Sequence, residues 1–169
     1  MSDDTPVTVF ADDARVASLA AYTDHLDELV DVVRDASSGD AAALDRRPAP
    51  DAWSVAEVLH HLADAELHQS VRLRSLLVED RPVWPDWDEQ AYAATLLYDV
   101  RPAHDALTLL LAVRHVNARL LAVLPPQAWS RTAVHPTEGE LDVAGWVRVA
   151  VEHLRAHTLQ ARRALVGLT

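Results

Sequence analysis

The chain has 169 residues, half of them hydrophobic, a formal net charge of -11 and no cysteine. That length suits one domain with a buried core, and the acidic balance disfavours nucleic acid and anionic membranes as partners. The missing cysteines exclude disulfides, thiolate metal ligands and a cysteine nucleophile, and the absence of lysine excludes Schiff-base chemistry.

Residues 1–10 read as an N-terminal tail, and residues 11–169 as a single domain. A first helix is expected from a cap at Asp12 or Asp13 to about Ala36. Its apolar stripe is Val16, Leu19, Leu26, Leu29, Val30 and Val33, and Ser37-Ser38-Gly39-Asp40 ends it. The Pro-containing segment 41–52 reads as a connector with one helical turn near Leu44. Helix two opens at Ser54, which forms a capping box with Glu57. Apolar residues at helical spacing then carry it to about Glu79.

From Asp80 to Pro102 the periodicity breaks, with a short helix expected near Asp88–Thr95. A connection this long suits a crossover that lets helices two and three run parallel. Helix three is expected over Ala103–Leu124, stopped by Pro125-Pro126. After a second irregular stretch, Asp142 caps helix four and Gly167 ends it. The fold class is therefore all-α, a four-helix bundle. No apolar run reaches the roughly 18–20 residues that span a bilayer. The N-terminus lacks the features of a signal peptide, so a cytoplasmic location is expected.

Helix four carries His153 and His157 four residues apart, on the same face as Trp146, Val147, Ala150, Leu154 and Ala161. Buried imidazoles are costly unless paired, and a metal ion is one partner that satisfies two at once. Helix two offers His60 and His61. These diverge by about 100°, and the inner face marked by Val58, Leu62, Ala65 and Gln69 favours His61. Glu57 and Asp64 lie four before and three after it, where either carboxylate could orient its second ring nitrogen. Three imidazoles with an open position describe a catalytic metal site rather than a structural one, and imidazole suits Zn, Ni, Fe or Cu. The remaining histidines, the loop tryptophans and the acidic run Asp86–Glu89 read as core, end-packing and solvated surface. The residues between His153 and His157 are Leu154, Arg155 and Ala156, so the glutamate base of a hydrolytic HExxH motif is absent.

The segment Trp53-Ser54-Val55-Ala56-Glu57-Val58-Leu59-His60-His61-Leu62-Ala63-Asp64 resembles the opening of helix two in the DinB-like family. So do the loop Trp129–Pro136 with Gly139-Glu140-Leu141 and the stretch His153–Gln160. The resemblance runs from about Val16 to Leu168. It implies an up-down-down-up four-helix bundle, a divalent metal (Zn, Ni or Fe) held by His61, His153 and His157, and a homodimer. Many members carry a His-His pair where this chain has Ala156-His157-Thr158; His157 retains the four-residue spacing. The family includes thiol-dependent S-transferases, a mycothiol-dependent isomerase and proteins described as metal-dependent hydrolases. The expected function is accordingly a metal-dependent transferase or hydrolase acting on a small molecule. A low-molecular-weight thiol would come from outside the chain, and Glu57, Asp64, Trp129, Arg131 and His135 are expected around the site. The alternative is a non-catalytic stress-response bundle that binds a metal, a ligand or a partner protein.

Overall fold

The structure, a computed structural model, describes residues 9–24 and 26–169. Six α-helices are present: α1 (Val9–Thr23), α2 (Leu26–Gly39), α3 (Val55–Val78), α4 (Glu89–Thr95), α5 (Ala103–Ala122) and α6 (Val143–Leu165). A two-stranded antiparallel hairpin, β1 (Ala133–His135) and β2 (Gly139–Leu141), precedes α6.

The local chemistry explains the long elements. Ser54 accepts a hydrogen bond from the Glu57 amide and the Glu57 carboxylate accepts one from the Ser54 amide, which completes the capping box of α3. Asp142 caps α6 through the Gly145 amide. At the other end Gly167 has a φ of 76°, the left-handed conformation a side chain resists. The Leu168 and Gly167 amides donate to the Arg163 and Ala164 carbonyls, the paired bonds of a Schellman motif. The short helix expected in the crossover is α4, capped by Asp88.

Three expectations need correction. The first helix is two helices, and at the end of α1 the Thr23 hydroxyl donates to the Leu19 and Ala20 carbonyls, competing with the backbone ladder. Neither Asp12 nor Asp13 caps α1, which already runs from Val9. The tail expected over residues 1–10 lies outside the described residues up to residue 8, as does His25. The stretch before α6 expected to be irregular contains the hairpin, and Val83 of the crossover bridges to Val134 of β1. The Trp84 amide donates to the Val134 carbonyl, and the Val134 amide to the Pro82 carbonyl.

Side-chain contacts fix the helix directions. On α3 and α5, Glu66 meets Arg114 and Ser70 meets Asn117, and His60 near the start of α3 meets Arg101 just before α5, so the two run parallel. The end of α3 (Leu73, Leu76) shares a core cluster with the start of α6 (Val143, Trp146, Val147). His61 near the start of α3 meets His157 far along α6, so this pair is antiparallel. Tyr22 of α1 packs on Trp146 and Glu28 of α2 pairs with Arg162, so α1–α2 runs with α6. The result is an up-down-down-up four-helix bundle, with α1–α2 acting as its first member.

A charged network sits in the middle of the bundle. Arg114 and Glu66, both nearly fully buried, pair at 2.8 Å. Arg114 Nε donates to the Tyr22 carbonyl, the Tyr22 hydroxyl donates to Glu66, and Asn117 donates to Glu66 at 3.1 Å. Burial and the Glu66 charge push the Tyr22 phenol well above its ordinary range, so it remains a donor. This network locks α1, α3 and α5 together one helical turn from the histidine face of α3.

A candidate metal centre

His61 is fully buried on α3, and His153 and His157 border the buried stripe of α6 rather than lying within it. Their ligand atoms nonetheless converge. His61 Nε2 lies 3.1 Å from His153 Nε2 and 3.2 Å from His157 Nε2, and one ring nitrogen from each lies within 4.8 Å of the others. Tetrahedral coordination at about 2.0–2.1 Å from nitrogen places ligand atoms about 3.3 Å apart, so the trio fits a single metal ion.

The electrostatics fit as well. Burial, together with mutual repulsion inside the trio, lowers the His61 and His153 pKa values to about 3, and burial lowers that of His157. At neutral pH all three rings are uncharged and offer lone pairs. His157 Nδ1 donates to Gln160 Oε1 at 2.7 Å, which leaves its Nε2 as the free acceptor. Gln160 is one turn further along α6, a position set by helical spacing.

The carboxylates expected to orient His61 are engaged elsewhere. Glu57 closes the capping box and pairs with Arg47, and Asp64 accepts from the Tyr98 hydroxyl. His61 Nδ1 has no hydrogen-bond partner among the described residues. The neighbouring carboxylate is instead Glu89, the first residue of α4, whose Oε2 lies 3.8 Å from His61 Nε2. Trp87 stacks on the His61 ring with planes 9° apart, and Trp53 packs on it at 5.0 Å. The crossover thus folds back over the site. Asp86–Glu89, expected to be solvated surface, includes two residues of the site wall. His60, buried beside His61, points away: its Nε2 meets the Arg101 carbonyl and its ring stacks on Tyr98.

A cleft of about 320 Å³ beside the trio is lined by His153, Glu89 and Trp87 together with His68, Arg72 and His135. His135 therefore lines the same cleft. Trp129 and Arg131 do not. Trp129 borders a separate cavity with Arg15 and Leu19. Arg131 donates to the Leu76 and Glu79 carbonyls at the far end of α3, about 22 Å along the helix from His61.

The superfamily model for DinB matches residues 16–161. The chain belongs to the DinB superfamily. It is similar to an Oceanobacillus iheyensis protein named "putative metal-dependent hydrolase", with 30% identity over 105 residues. That match covers 62% of this chain and 60% of the relative, so the chain spans less than two thirds of that protein's length. A second O. iheyensis protein of the same name is 24% identical over 150 residues, covering 87% of this chain and 81% of that one. Among solved structures, YfiT from Bacillus subtilis superposes with a TM-score of 0.76 at 20% identity, covering 100% of this chain and 94% of that one. It is described as "a probable metal-dependent hydrolase with an unusual four-helix bundle topology". At that identity the likeness is one of fold, and this DinB-superfamily chain shares the bundle. No helix among its described residues is long and apolar enough to cross a membrane.

Proposed function

We propose that this chain is a divalent-metal-dependent hydrolase acting on a small molecule held in the cleft between α3, α6 and the crossover. The supporting observation is the convergence of three uncharged imidazole Nε2 atoms beside the Glu89 carboxylate. His61, His153 and His157 would hold the ion, with Zn, Ni or Fe as the fitting metals. A bound ion supplies Lewis acidity and a lowered pKa for the nucleophile at its open position. Glu89 serves as general base, its Oε2 close enough to the trio to receive the nucleophile's proton. The Trp87 and Trp53 rings against His61 hold that imidazole in orientation. Gln160 keeps the His157 proton on Nδ1.

With no cysteine in the chain, any thiol chemistry at this site requires an external thiol. Ester and amide substrates assayed with and without an added low-molecular-weight thiol therefore separate hydrolysis from S-transfer. The Glu89→Gln variant tests the proposed base. It should retain the metal content of the wild type and lose about 10²–10⁴-fold in kcat. Unchanged kcat with unchanged metal would remove Glu89 from the mechanism.

A further inference from the structure

Arg72 of α3 is a buried cation, 7% exposed, that makes no ion pair with a carboxylate among the described residues. Its guanidinium stands over the Trp84 ring at 5.6 Å, and its Nη2 donates to the Pro85 carbonyl at 2.7 Å. Its Nη1 faces His135 Nε2 at 3.4 Å. The polarity of that last contact is decisive. His135 Nδ1 is surrounded by donors, the Thr137 and Glu138 amides at 3.3 Å and the Thr137 hydroxyl at 3.2 Å. A neutral imidazole with Nδ1 accepting carries its proton on Nε2. Two N–H donors, Arg72 Nη1 and His135 Nε2, therefore face each other at the wall of the cleft with no acceptor between them among the described residues. Burying a charge without a partner is costly, and so is leaving facing donors unmatched.

The acidic side chains of the cleft resolve this only in part: the Asp86 charge favours the Arg72 cation from a distance, without an ion pair. Glu138 is tied to Arg148 at 3.0 Å, Glu89 faces His61, and Asp86 accepts from the Trp87 amide at 2.9 Å. In a chain of net charge -11, a buried guanidinium in the cleft with no carboxylate in ion-pair contact among the described residues is a local exception.

We propose that Arg72 Nη1 and His135 Nε2 form an anion subsite that binds a carboxylate or phosphate group of the substrate. The inference rests on the reading of the trio as the reaction centre and names its substrate class: a small organic anion, one end at the three imidazoles and its charged end at Arg72. Arg72 lies eleven residues beyond His61, about 16 Å along α3, and lines the cleft that His153 of the trio also lines. An anion there accepts from both donors at once and supplies the counter-charge.

The test is titration of the full-length chain with succinate and with inorganic phosphate at fixed ionic strength, followed by tryptophan fluorescence, since Trp84 lies beneath the guanidinium. At least one anion should give a saturable change; succinate alone assigns a carboxylate subsite, phosphate alone a phosphate subsite. Arg72→Gln and His135→Phe should each raise Kd at least tenfold while binding metal as the wild type does. If one variant fails to fold, the other carries the comparison on the same threshold. Failure of both anions to saturate, or unchanged Kd in a folded variant, would overturn the proposal. So would binding that survives Arg72→Gln but disappears in His153→Ala, because that anion would sit on the metal. Loss of metal binding in the wild type would instead strike the parent reading, which this titration does not measure.

Discussion

At the level of single residues, the site depends on where each imidazole keeps its proton. His157 can present Nε2 because Gln160 accepts from Nδ1, whereas His61 Nδ1 has no such partner among the described residues. The two rings are therefore fixed by different means: one by a hydrogen bond, the other by aromatic packing against Trp53 and Trp87. Replacing Gln160 with Leu removes the acceptor and frees the tautomer. Metal affinity should fall about 10–100-fold, read by competition with a chromogenic chelator, while the melting temperature changes little because Gln160 is only half-buried. The histidine pair on α6 was legible because four-residue spacing puts two side chains on one face. Gln160 follows from the same spacing. Glu89 was not legible: an acidic run in an irregular segment carries no periodicity, and only tertiary packing returns it to His61. His60 and His61 could be separated because neighbouring helical positions diverge. Both are buried all the same, His60 against Tyr98 and the Arg101 carbonyl.

At the level of elements, α3 and α6 are the two arms of the site, and their antiparallel contact brings position 61 to positions 153 and 157. Their ends were readable because capping is local chemistry: Ser54 with Glu57, Asp142, and Gly167 each act within a few residues. The hairpin was not, since strands of three residues are too short to display alternation. Nor was the break between α1 and α2, where the apolar stripe runs on through both. What holds α3 in place beside α5 and α1 is the buried Glu66–Arg114–Tyr22–Asn117 network. Glu66→Ala strands Arg114 without its counter-ion, and removing one partner of a buried pair costs about 3–5 kcal/mol. Denaturant unfolding should show that loss as a lower midpoint at similar slope. A loss below about 1 kcal/mol would mean that water, rather than Glu66, compensates Arg114.

For the whole molecule, the buried histidines couple folding to pH. The His61 and His153 pKa values fall from an ordinary 6.5 to about 3 in the folded chain. Between these values the unfolded chain binds more protons than the folded one, so stability rises with pH there. The contribution is fully present above about pH 6.5. It declines as pH falls through the window and is gone below the folded pKa of about 3. Metal-free protein should therefore melt at progressively lower temperature from pH 6.5 downward. A His61→Phe, His153→Leu double variant should show a shallower dependence over the same range. Identical pH slopes for the two proteins would contradict the burial argument. The long crossover closes the architecture: it permits α3 and α5 to run parallel, and on its way it lays Trp87 and Glu89 over the trio. The same segment that lets α3 and α5 run parallel also builds one wall of the cleft.

The most direct test of the central claim is metal stoichiometry. Untagged protein, stripped with chelator and reloaded separately with Zn, Ni or Fe, should retain one ion per chain by elemental analysis after gel filtration. The His153→Ala variant, folded by circular dichroism, should retain less than a tenth of that. One ion per chain held equally by wild type and His153→Ala, or none held by the wild type with any of these metals, would contradict the assignment of His61, His153 and His157 as a metal centre.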